Sequence, residues 1–174
     1  ESIQQMIGVL ERFSEDHNID FQHQIGEVPV ERGNDRTLIP IDGQQRLTTL
    51  FLFHLYVGAQ LATDELQKLK GFQYKTRKSS TDFIEKLVTN GQILKQDSSS
   101  ENLKLSEKIK DQAWFFAFWE KDPTVAGILE VIDEIHRQSL NLSDESFTRI
   151  WQNLTHPKSK NVLFDFFDLK EEGL

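Results

Sequence analysis

The fold class predicted for this chain is α+β: a small sheet with a helix of polar start at its centre, followed by a mostly helical second half. Three observations predict it. Residues 20–41 hold short β-favouring runs separated by turn formers. Residues 44–62 then change to a long apolar run at helical period. Beyond residue 79, apolar positions recur at helical spacing between caps and breakers.

Taken in order, Ile3, Met6, Ile7, Leu10 and Phe13 share one helical face and predict an amphipathic helix over 2–16. "EVPV" and "RTLIPI" read as strands around "ERGND", whose Gly33, Asn34 and Asp35 form turns. Pro29 and Pro40 lack an amide proton, which places them at strand ends or edges. The stretch after Gly43 reads as a buried helix to about Ala62. In "SSTDFIEKLVTNG", Ser79 stands three residues before Asp82 in the manner of a capping box, and Asn90 and Gly91 stop the helix. "QDSSSEN" reads as a surface linker, and 101–120 as one helix burying Leu105, Ile109, Trp114, Phe115, Phe118 and Trp119. Asp122 as N-cap with Pro123 at the first helical position starts the next helix, another spans about Asp144 to Leu154, and "NVLFDFFDL" returns as a strand. With no internal repeat and no clear linker that would split the chain into two domains, 1–174 reads as a single domain: sheet and signature helix over 1–62, a helical part over 63–160 and a returning strand over 161–174.

Composition removes several functions. With 28 acidic against 20 basic residues the net charge is -8, so duplex DNA cannot be held by overall charge, and any contact with it must be local. The absence of cysteine excludes disulfides, thiolate metal sites and a Cys nucleophile, and fits a cytoplasmic chain. The apolar run Leu47 to Ala62 is shorter than the ~20 residues a bilayer needs, which argues against a membrane partner. There is no Gly-rich Walker loop, so a P-loop NTPase is excluded.

The informative stretch is "LIPIDGQQRLTTLFLFHLY". If "TLIPI" is a strand and "QQRLTTLFLFHLY" a helix, Asp42 and Gly43 form the turn and Asp42 caps free amides. A helix start offers unpaired N–H groups and partial positive charge, and Gly43 lets another molecule come close to the backbone. Arg46 lies in the first turn, where the macrodipole disfavours a cation, so an anion there would explain it. Gln44 and Gln45 add neutral donors and acceptors for a ribose, base or water. The plain alternative is an ordinary cap and turn with Gln44, Gln45 and Arg46 solvated.

"IDGQQRLTTL" closely resembles the signature of the DGQQR domain in GmrSD-type modification-dependent restriction proteins. The resemblance continues through "FQYKTRKSSTDFIEKL", "IKDQAWFFAFWEKDPTVAGILEVIDEIH" and "VLFDFFDLKEEG", and so covers most of the chain from Ile41 onward. It implies a fold similar to ParB and sulfiredoxin, and binding and hydrolysis of a nucleoside triphosphate, with or without Mg2+, coupled to cutting of modified foreign DNA. Asp42 and Arg46 would be catalytic, and Gly43, Gln44, Gln45 and Arg46 would bind the nucleotide. The family's upstream Tyr-Gln-Arg and downstream Asn-x-Arg-Gly elements have no counterpart, which implies an internal fragment with an incomplete, inactive site. DNA would be met through the full-length protein, with a C-terminal nuclease domain or partner subunit. Nothing like that nuclease appears among His17, His23, His54, His136 and His156. The competing function is a regulatory module that senses nucleotide or DNA without catalysis.

Four other groups are candidate sites. Lys68, Lys70, Lys75, Arg77 and Lys78 crowd eleven positions of an acidic chain with Phe72 and Tyr74 between them, and Lys75, Arg77 and Lys78 are the candidate nucleic-acid contacts; a solvated loop with inward aromatics is the alternative. Trp114, Phe115, Phe118 and Trp119 could stack on bases, but helical spacing favours core. His54 reads as a hydrogen-bonded core residue rather than a general base. Glu130, Asp133, Glu134 and His136 could hold a cation, but the three carboxylates fit a solvated helix face.

Overall fold

The computed structural model describes residues 23–32, 38–40, 44–74, 77–96, 104–155 and 162–168. The expected helix over 2–16, the tip of the "ERGND" turn and all of the "QDSSSEN" linker but Gln96 lie outside them.

Three strands are present: β1 (His23–Arg32), β2 (Leu38–Pro40) and β3 (Val162–Asp168), in the order β2-β1-β3. β2 runs antiparallel to β1, from Val30 opposite Pro40 to Arg32 opposite Leu38. β3 runs parallel to β1, with an irregularity between Gln24 and Glu27. Pro40 ends an edge strand as expected, whereas Pro29 lies inside β1. It is tolerated because β2 begins pairing only at Val30, so at Pro29 β1 is paired on the β3 side alone.

Between residues 44 and 155 the described chain is helical: α1 (Gln44–Gln60), α2 (Lys78–Thr89), α3 (Leu105–Lys110), α4 (Pro123–Ser139) and α5 (Asp144–Thr155), joined in part by 3-10 turns at Asp64–Gly71, Gly91–Leu94 and Ala117–Lys121. This corrects the α+β expectation. The body is 79% helical with no strand or sheet within it, and the core side chains of residues 44–155 stand on helices or helical turns. α1 makes its extensive contacts with α4, α5 and the first two 3-10 turns, so a ParB/sulfiredoxin-like sheet with this helix at its centre is not the fold. The physical reason is visible in α1. From Leu50 to Gln60 every residue except the half-buried His54 is buried, so the helix is apolar around its whole circumference, whereas a helix lying on one sheet face needs only a stripe. Each fully buried Leu or Phe there contributes about 1.5–3 kcal/mol.

α1 ends in a Schellman motif: Thr63 N–H donates to the Gly58 carbonyl and Ala62 N–H to that of Ala59, with Ala62 left-handed at φ 50°. Gly58 allows close packing: a Cβ there would stand 2.5 Å from Leu66 Cδ2, and that side chain would have to shift. Buried Gln60 ties this end of α1 to the 91–96 segment: its Nε2 donates to the Leu94 carbonyl at 2.8 Å, and its Oε1 accepts from Gln96 N at 2.9 Å.

Two further expectations are corrected. The single helix over 101–120 breaks after Lys110, and the chain turns through 111–116 before the 3-10 turn. No Gly or Pro marks the break. It is favoured by packing around Phe83, against which Trp114, Phe115 and Trp119 lie at ring distances of 6.4, 6.0 and 5.4 Å. Ser79 forms no capping box. The N-cap of α2 is Arg77, without a side-chain cap bond, and Ser79 turns instead to the carboxylate of Asp122, a stronger acceptor than a backbone group.

Candidate functional site

The structure describes Gln44, Gln45 and Arg46 of the signature but not Asp42 and Gly43. α1 begins at Gln44 with no acidic residue in its first turn, so nothing in that turn neutralises the positive end of its macrodipole. Gln44 and Gln45 are exposed and Arg46 is half-buried. Six residues later the helix is fully enclosed, which anchors this polar end on a rigid support.

Aromatic packing brings the basic segment to the same end of α1. Phe72 stacks on Phe51 at 4.3 Å, and Tyr74 meets Phe72 edge-on at 5.7 Å. Thr48 Oγ1 donates to the Gln44 carbonyl at 2.8 Å, which leaves Tyr74 O–H to donate to Thr48 at 2.9 Å. Tyr74 is thereby fixed one residue pair beyond Arg46, and three residues before Arg77. Burial raises the Tyr74 pKa, the Thr48 hydrogen bond and the Arg77 charge oppose that, and the Asp122 charge adds to it. So the inward turn of Phe72 and Tyr74 and the surface placing of Lys68, Lys70, Arg77 and Lys78 occur together; Lys75 lies outside the described residues.

Arg77 donates to Thr124 Oγ1 at the start of α4. Asp122 caps that helix by accepting from Thr124 N at 2.8 Å, and also accepts from Ser80 Oγ at 2.8 Å and from Ser79 Oγ. Burial pushes the Asp122 pKa up, but these donors outweigh it and hold it below the ordinary value. The carboxylate thus pins the start of α2 to the start of α4. A shallow, open depression of about 370 Å³ lies over this junction, lined by Arg77, Ser79, Phe118, Lys121, Asp122 and Pro123.

Sequence reasoning marked Asp122 only as a cap, because its serine partners lie more than 40 residues away. Phe118 was placed in the core, yet it is 57% exposed; of its aromatic group Trp119 is fully buried and Trp114 and Phe115 are half-buried. Phe116, for which no role was read, is 49% exposed.

Of the remaining candidates, His54, Asp133, Glu134 and His136 have structural partners, and Glu130 is exposed. His54 Nδ1 bonds the Leu50 carbonyl at 2.8 Å, and burial lowers its pKa against the opposing effect of the Leu50 and Leu154 carbonyls. Asp133 accepts from Ser106 N and Oγ at 2.8 and 2.6 Å, while Glu134 accepts from Arg137 and Gln138, and the Arg137 hydrogen bonds draw its pKa down to about 2. His136 bonds the Tyr56 hydroxyl at 2.9 Å, and Gln96 Nε2 donates to the same hydroxyl at 3.0 Å. No group of three His, Asp or Glu side chains suited to a metal occurs among the described residues. Among them, no helix is long and apolar enough to cross a membrane.

No curated protein and no solved structure matches the chain. Residues 2–171 match the protein family described as GmrSD restriction endonuclease, N-terminal domain. That span includes the start of α1, the basic segment and the whole helical body, and the chain therefore belongs to the family of GmrSD restriction endonuclease N-terminal domains.

Proposed function

We propose that this domain binds a nucleoside triphosphate at the start of α1 and hydrolyses it on behalf of a modification-dependent restriction protein, whose full-length form engages DNA. The observation that carries this is the combination of a first helical turn with exposed Gln44 and Gln45, Arg46 and no acidic residue, and a helix body enclosed from Leu50 onward. Helix-start amides and a guanidinium held on a rigid element suit phosphate oxygens, because the donors are oriented before the anion arrives. Arg46 would meet the phosphate charge, Gln44 and Gln45 the sugar or bridging water, and Asp42 the attacking water.

The described residues give Mg2+ no cage of their own, so none of these roles is routed through a metal. DNA would meet the domain along the basic segment at Lys75, Arg77 and Lys78, with the remaining contacts made elsewhere in the full-length protein, in keeping with the net charge of -8.

The test is Arg46→Ala. Loss of a hydrogen bond to a charged group costs about 1.5–3 kcal/mol, so nucleoside-triphosphate affinity measured by calorimetry should fall by roughly 10- to 150-fold while the thermal melt is retained. A folded variant with the parent's affinity would remove the phosphate from this site.

A further inference from the structure

Exposed hydrophobic residues scattered singly over a surface require no explanation, but two that are paired and held in place do. Phe116 and Phe118 are 49% and 57% exposed. Their rings lie near-parallel, 11° apart with centroids at 5.7 Å. Trp119, fully buried, meets Phe116 at 4.9 Å and Phe118 at 5.7 Å, both steeply inclined, so the pair stands on a rigid anchor. Phe118 also forms part of the wall of the depression that holds Arg77 and Lys121. Neither cation is ion-paired with a carboxylate among the described residues, and Asp122 beside them is occupied by Ser79, Ser80 and Thr124.

A flat apolar ring edged by two cations, on a chain of net charge -8, matches an unpaired nucleobase with its phosphate. A base in a closed duplex hides its faces in the stack, so the ring can be reached only by a single-stranded or extruded nucleotide. We propose that Phe118, backed by Phe116, is a stacking platform for an unpaired base of DNA, with Arg77 and Lys121 holding the adjoining phosphate. This rests on the DNA part of the function proposed above and is separate from the nucleotide site on α1.

The experiment compares binding of the full-length protein to a labelled twelve-nucleotide oligothymidylate and to a blunt duplex of the same length. It uses the parent, Phe118→Ala and Phe118→Tyr, with nucleoside-triphosphate affinity measured on each. The platform predicts that the parent prefers the single strand. It further predicts that Phe118→Ala loses roughly 5- to 150-fold of that affinity, the range for one base–aromatic stack, and that Phe118→Tyr retains it. Nucleotide affinity should be unchanged throughout. A parent that binds neither DNA overturns the platform together with the DNA part of the proposed function and leaves the nucleotide site standing. Single-strand binding that Phe118→Ala does not weaken, or that Phe118→Tyr loses equally, overturns the platform alone. So does a parent dimer that Phe118→Ala converts to monomer without change in oligonucleotide affinity, since a second copy would then be the occupant.

Discussion

Replacing Asp42 by Ala in the full-length protein is expected to abolish nucleoside-triphosphate turnover. Asp42 stands two residues before α1 begins, next to the point where the helix amides and Arg46 would gather phosphate oxygens. A carboxylate so close to a polyphosphate repels it in the ground state, so it gains nothing in affinity. What it can supply is orientation of water and acceptance of its proton, contributions worth about 10²- to 10⁴-fold in rate. Phosphate release by Asp42→Ala should therefore fall below about 1% of the parent rate, with affinity weakened far less. A parent that binds nucleotide and releases no phosphate would identify a sensing module in place of an enzyme.

The largest stability effect is expected at Trp119. Its ring is fully buried, lies edge-on to Phe83 at 5.4 Å and Phe115 at 5.5 Å, and supports the exposed pair above it. Truncation to Ala leaves a cavity where α2, α4 and the 3-10 turn meet, at a cost of about 3–5 kcal/mol, which for an average domain is a third or more of total stability. The contrast with Trp119→Phe separates packing from hydrogen bonding. The indole N–H is buried without a partner among the described residues, so Phe gives up no hydrogen bond made there and should cost under about 1.5 kcal/mol. Urea unfolding of the two variants measures both; equal losses would place the effect in the indole N–H after all.

Elements written by short-range signals were legible in the sequence. Asp122 and Pro123 start α4, and Asn90 with Gly91 closes α2, because caps and breakers act within one turn of where they stand. α1 was legible as a buried helix, and the strand runs at 27–30 and 162–168 were recognised. What α1 packs against was not legible: its apolar circumference fits any enclosing partner, and the partners are helices distant in sequence. The same limit explains the misplaced role of Ser79, whose local pattern suits a capping box until Asp122 arrives from another helix. It also explains Phe118: positions 114, 115, 118 and 119 share a face only if the helix is continuous, and the break after Lys110 turns Phe118 outward. At the candidate site, residues 42–46 are marked by a local motif, whereas Tyr74 joins the basic segment to α1 through Thr48 across 26 positions, a contact that no local pattern encodes.

Whether phosphate is gathered at the start of α1 can be read directly from the backbone amides there. In a nitrogen-15 chemical-shift titration of the chain with a nucleoside triphosphate, the amides of Gly43, Gln44 and Gln45 and the Arg46 Nε–H should shift together along one saturable curve, because under the proposed function all four donors would meet the same anion. Perturbations confined to residues near Phe118 or spread thinly over the surface, with those four signals unmoved at saturation, would contradict it.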